Sequence, residues 1–150
     1  ILVPRHIERT ASIERILQHY NIRYHLRTQQ KTDPELLLVN TTGELKNFVA
    51  LADIVFVGKS LNPNIGGQTP IEAAAFGKPI VYGPHMENFR TICLDLESSG
   101  GAVRCPDAST IEKQLSHWLK TPQDAQSCGR SAQQWINQNK GALYRILAEL

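Results

Sequence analysis

Short apolar runs bounded by glycine or proline, separated by stretches of helical periodicity, constrain this fold more than any other feature. Residues 1–3, 36–39, 53–57, 79–82 and 102–104 are such runs, and Arg23 to Arg27 alternates in the manner of a further strand. Each is too short for a helix and reads as a strand, the first one buried. Between them, residues 7–20, 43–51 and 86–98 carry apolar side chains at helical spacing, and a further helix opens at Thr69 and closes at Gly77. Pro106-Asp107 starts a helical tail with Ile111, Leu115 and Trp118 on one face. Trp135 and Ile136, then Leu143, Ile146 and Leu147, mark the last helices. Residues 29–34 are polar and read as a mobile loop. Strand–helix alternation of this kind predicts an α/β fold, a parallel sheet of about six strands with helices on both faces. Ligands of such sheets bind beyond the carboxyl ends of the strands.

Composition removes several classes of function. The 150 residues suit one domain with a sizeable core, and the net charge of +2 comes without a clustered basic stripe, so no nucleic-acid partner is expected. Cys93, Cys105 and Cys128 are odd in number and far apart, and the histidines are scattered. Neither set has metal spacing, so reduced thiols and no metal or cofactor are expected. No apolar run is long enough to span a bilayer. The chain opens inside a strand pattern and ends without a stop signal, which reads as a domain excised from a longer protein.

The candidate site residues follow the strands. Gly66-Gly67-Gln68-Thr69-Pro70-Ile71-Glu72 joins a glycine pair to a helix start. Glycines let backbone amides approach a ligand, a helix start presents unpaired N–H groups, and the Glu72 carboxylate could take two ribose hydroxyls. The plainer reading is a capping box, with Thr69 at the N-cap and Glu72 returning the bond. That explains Thr69, Pro70 and Glu72 but not the paired glycines, and Glu72 cannot serve both roles. Arg5, after the first strand, is either a surface arginine or a bidentate partner for phosphate. Thr42-Gly43-Glu44-Leu45 reads as a helix N-terminus whose amides face a base edge, although Glu44 is equally placed by the helix dipole. Gly58-Lys59-Ser60 follows the fourth strand, where Ser60 could donate to a phosphate or sugar carboxylate. Gly83-Pro84-His85 follows the fifth, with a rigid turn and solvated histidine as the preferred reading. Neither G-x-x-x-x-G-K followed by Ser or Thr nor G-x-G-x-x-G occurs, which argues against a P-loop and against an NAD-binding domain. Trp118 and Trp135 read as core.

Taken in order, Pro4-Arg5-His6, Thr42-Gly43-Glu44-Leu45, Phe56-Val57-Gly58, Ser60-Leu61, Gly66-Gly67, Pro70-Ile71-Glu72-Ala73-Ala74-Ala75, Gly83-Pro84-His85 and Asn88-Phe89 resemble the C-terminal half of the 3-deoxy-D-manno-octulosonic acid (Kdo) transferases. The resemblance covers residues 2–147. Two places depart from the family pattern: Gln68-Thr69 stands where His-Asn is usual, and Lys59 where a second glycine is common. The resemblance implies one Rossmann-like half of a GT-B glycosyltransferase, here a single nucleotide-sugar-binding domain of residues 1–150. It implies a CMP-Kdo donor held by Arg5, Gly43, Ser60, Gly66, Gly67, Thr69, Glu72, Pro84 and His85, with no catalytic residue on this chain. An absent N-terminal half would supply the base, the lipid A precursor acceptor and the membrane-facing surface, at the cytoplasmic face of the bacterial inner membrane; the excised domain itself would be soluble. Two alternatives stay open: a GT-B transferase or epimerase using a UDP-sugar, and a non-catalytic flavodoxin-like module.

Overall fold

The computed structural model describes residues 1–29 and 35–148, so most of the expected loop at 29–34 lies outside the described residues. The chain divides into two compact units, Ile1–Phe48 and Val49–Leu150.

The first unit holds helix α1 (Thr10–His19), entered through a 3-10 turn at Ile7–Arg9, and strands β1 (Tyr24–Leu26) and β2 (Leu36–Leu38), which pair in parallel. The expected first strand is reduced to a single parallel bridge between Leu2 and Leu38. It is not buried: Ile1 is 64% and Leu2 39% exposed. Pro4 explains its brevity, because it brings no N–H to extend the ladder. Two backbone bonds hold the bridge: Leu2 N–H donates to Leu37 O at 2.8 Å and Val39 N–H to Leu2 O at 2.9 Å. Among the described residues, Leu17, Leu38 and Val39 are the buried apolar residues of this unit.

Helix α2 (Leu45–Leu51) runs across the boundary into the second unit, which is built on a three-stranded parallel sheet. Its order is β3 (Val55–Val57), β4 (Ile80–Tyr82), β5 (Ala102–Arg104), in register Val57↔Tyr82 and Tyr82↔Arg104. The connecting helices are α3 (Ile71–Ala75), α4 (Arg90–Ser98), α5 (Ala108–Lys120) and α6 (Pro122–Ala148). The central strand β4 is buried along its whole length, as a strand covered on both faces must be. Its side chains alternate between two cores. Ile80 and Tyr82 join Ala73, Ala74, Leu96, Ala132 and Ile136 on one face, while Val81 joins Cys105, Ile111, Trp118, Ala125 and Cys128 on the other. Trp118 is buried and Trp135 packs against the first core, as expected of both. The last helices are one continuous helix, α6. Asp107 caps α5, its carboxylate accepting from Thr110 N–H at 2.7 Å. Among the described residues, five strands and one bridge thus stand where about six strands are expected, and every pairing is parallel. Among the described residues, no helix is long and apolar enough to cross a membrane.

Candidate functional site

In the second unit, the segments leaving β3 and β4 are tied together at the carboxyl edge of the sheet. Ser60 makes the tie. It is 0% exposed. Its hydroxyl donates to Val57 O at 2.7 Å and accepts from Gly83 N–H at 2.9 Å. Its carbonyl accepts from His85 N–H at 3.1 Å. A Cβ on Gly83 would stand 2.1 Å from Ser60 O, so only glycine permits this approach. The expectation that Ser60 donates to a ligand therefore gives way to a structural role. Its one proton is committed to a backbone carbonyl, and the group is sealed from solvent.

The glycine pair is similarly engaged. Gly66 and Gly67 are buried and hold left-handed φ angles of 99° and 66°. Gly67 N–H donates to Lys59 O at 3.0 Å, and Gly66 O accepts from Asn88 N–H at 3.2 Å. Gly66 N–H donates to the Glu87 carboxylate at 2.8 Å. Both amides expected to face a phosphate thus have partners within the fold. Lys59 itself sits at φ 59°, a left-handed conformation that a glycine adopts without strain. That explains why a second glycine suits this position.

The helix start also differs from the capping-box expectation. Helix α3 opens at Ile71, not Thr69, with Pro70 before it and no side-chain cap on Pro70. Thr69 Oγ1 accepts from Ile71 N–H at 3.2 Å, two places on, rather than from Glu72 N–H as a capping box requires. The returning half is missing: the Glu72 carboxylate, half-buried on the first turn, has no hydrogen bond or ion pair among the described residues. With five residues, α3 sums few peptide dipoles, so local N–H groups matter more here than any macrodipole.

The turn after β4 is held from the far side of the sheet. Arg104, at the end of β5, donates from Nη1 to Pro84 O at 2.8 Å and from Nε to Glu97 at 3.0 Å. Tyr82 OH donates to the same Glu97 oxygen at 2.9 Å. Burial works against the Arg104 charge, yet the hydrogen bonds and charge of Glu97 outweigh it and keep the guanidinium above its ordinary pKa. Burial also pushes the Tyr82 hydroxyl far up, so it remains a donor. His85 is half-buried, its Nδ1 3.2 Å from Glu87 Oε1. The Glu87 carboxyl is held below the ordinary range by its own backbone amide and by Gly66 N–H. Pro84, Met86 and Glu87 also line an open cleft of about 370 Å³ with Arg90, Leu94 and Arg104.

Arg5 and Gly43 lie in the first unit. Arg5 is exposed on the bend after the Leu2 bridge. Gly43 holds φ 81° in the turn before α2. There the Glu44 carboxylate is already paired, with the Thr41 hydroxyl and with Arg27 Nη2 at 3.1 Å. Its pKa is lowered chiefly by the Thr41 bond.

Glu87 and Arg104 are not among the candidate residues that the sequence offers. Arg104 was reachable, because it ends the last expected strand, where the carboxyl-edge rule already points. Glu87 gave no signal beyond lying two places after His85. Among the described residues, no three His, Cys, Asp or Glu side chains stand close enough to share a metal.

No protein-family model matches the chain. Over 154 residues it is 34% identical to a 3-deoxy-D-manno-octulosonic acid transferase of Bordetella pertussis, covering 100% of this chain and 36% of that protein. A protein of the same name from Chlamydophila psittaci is 30% identical over 95% of this chain and 33% of its own length. The C-terminal CMP-Kdo binding domain of WaaA from Acinetobacter baumannii superposes with a TM-score of 0.83 at 28% identity, over 89% of this chain and 72% of that domain. The chain is a homologue of the Kdo transferases. Its fold is that of a Rossmann-like half of a GT-B glycosyltransferase. It spans about a third of the length of the curated relatives it matches, 36% and 33% in these two cases.

Proposed function

We propose that this chain is the donor-binding domain of a glycosyltransferase that moves Kdo from CMP-Kdo to a lipid A precursor in lipopolysaccharide synthesis. One observation carries the reading: the solved domain that superposes over 89% of the chain is a CMP-Kdo binding domain. Glu72 takes the ribose hydroxyls, a role supported by its unpartnered carboxylate on the first turn of α3. Thr69 orients that turn. Within the second unit, Gly66 N–H contacts the phosphate, and Pro84 and His85 line the donor pocket; a phosphate role for Arg5 and a base role for Gly43 come from the family resemblance alone. Ser60 touches no ligand; it fixes the two turns that do.

In the reaction the bond between the Kdo anomeric carbon and a phosphate oxygen breaks, and its electron pair leaves with CMP. A new bond forms from that carbon to the acceptor hydroxyl oxygen, whose proton passes to a base. The base, the acceptor and the membrane contact at the cytoplasmic face of the inner membrane belong to a further half of a longer protein. The donor domain stabilises the charge gathering on the departing phosphate through fixed amides and a guanidinium. A helix terminus contributes only about 0.3–2 kcal/mol, so positioning by the rest of the enzyme supplies most of the rate.

Calorimetric titration tests the reading. CMP binds and UMP binds more weakly; Arg5→Ala loses more affinity for CMP than for cytidine. Preference for UMP would favour a UDP-sugar enzyme, and no nucleotide binding at all would favour a non-catalytic module.

A further inference from the structure

The two glycine amides have different kinds of partner. Gly67 N–H closes on a backbone carbonyl, which is part of the loop itself. Gly66 N–H is held by a side chain that can leave: the Glu87 carboxylate is 58% exposed. One of its oxygens lies 2.8 Å from Gly66 N, the other 3.2 Å from His85 Nδ1. The loop does not depend on this carboxylate for its place. Asn88 N–H on Gly66 O, Gly67 N–H on Lys59 O, and the close packing of Gly67 against Met86 hold it independently.

We propose that Glu87 is an intramolecular anion occupying the amide meant for a ligand phosphate, and that it sorts ligands by phosphate charge. The proposal rests on the donor-binding reading above. The phosphate of an activated sugar is a diester and carries a single negative charge. The cytidylate released by transfer is a monoester whose second ionisation lies near pH 6, so above neutrality it carries almost two. Either phosphate must displace a carboxylate or lie beside it. A unit charge a few ångströms from a carboxylate at a solvent-exposed site loses about fivefold in affinity, and a second charge multiplies that loss. A fixed negative charge here therefore disfavours a phosphate monoester more than a phosphate diester.

The experiment is calorimetric titration of the full chain at low ionic strength and pH 8. The ligands are CMP, its 5′-phosphate methyl ester as an unreactive diester, and cytidine. The proteins are wild type, Glu87→Gln and Glu87→Ala, with circular dichroism to compare folding. Both substitutions are expected to tighten CMP by about tenfold to twentyfold and the diester by about fivefold, leaving cytidine unchanged. Added salt should erase the difference. Equal tightening of monoester and diester, no change, or a loss shared by all three ligands overturns the proposal. If wild type binds none of the ligands, the donor-binding reading fails, and this proposal with it. If wild type binds them and the monoester-to-diester ratio does not move in either variant, only the proposal fails.

Discussion

The pattern Thr-x-x-Glu occurs before a short helix in each unit, at Thr41–Glu44 in the first and Thr69–Glu72 in the second. The outcomes are opposite. In the first unit the threonine hydroxyl donates to the glutamate, and Arg27 completes a neutralised cluster. In the second, the hydroxyl turns the other way and accepts from Ile71 N–H, leaving Glu72 without a partner among the described residues. Identical local sequence signals thus yield one carboxylate spent on the fold and one left for other use. The difference is set by whether a cation comes within reach and by proline at position 70, which brings no N–H to the turn.

Three outcomes would break or sharpen this contrast. The largest is in binding. Glu72→Ala should cost about tenfold to one-hundredfold in CMP affinity, the range for losing charged hydrogen bonds, while Glu44→Ala changes it less than about threefold. Calorimetry on both variants measures the split, and equal losses would erase the distinction. Next is stability. Ser60→Ala leaves Gly83 N–H buried without its acceptor and should cost about 1–3 kcal/mol in urea denaturation. A neutral result would mean that water or a backbone shift replaces the hydroxyl. The smallest effect is in acid. Because the Glu44 carboxyl titrates below its ordinary value in the folded chain, its contribution is present above the unfolded carboxylate pKa. That contribution is lost as pH falls through the lower folded value. Glu44→Gln should therefore lower stability slightly at neutrality and flatten its decline below about pH 4.5, so that the two proteins converge in acid, as acid titration of unfolding would show.

Where the strands lie was legible because they are short and most are apolar, with β3 and β4 stopped by glycine at Val57-Gly58 and Tyr82-Gly83. The helices on both faces followed from the same alternation. The fate of individual polar groups was not legible. Ser60 and Gly83 are 23 residues apart, and Gly66 and Glu87 are 21 apart. Their bonds exist only once β3 and β4 have paired in register, which no local pattern encodes. The glycine pair did mark the right loop, since its φ angles and close approach to Met86 demand glycine. What it could not reveal is that a carboxylate already sits on one of those amides. The expected first strand failed differently. Its apolar residues promised burial, but with Pro4 ending the ladder one bridge is all that forms.

Helix α6 touches both cores, through Ala125 and Cys128 on one and Ala132 and Ile136 on the other. A single rod thus braces two layers of the second unit. The turns that would cradle a nucleotide hang from the strand between those layers. Their anchor points are therefore held from both faces of the sheet, which is the support a preformed anion seat requires.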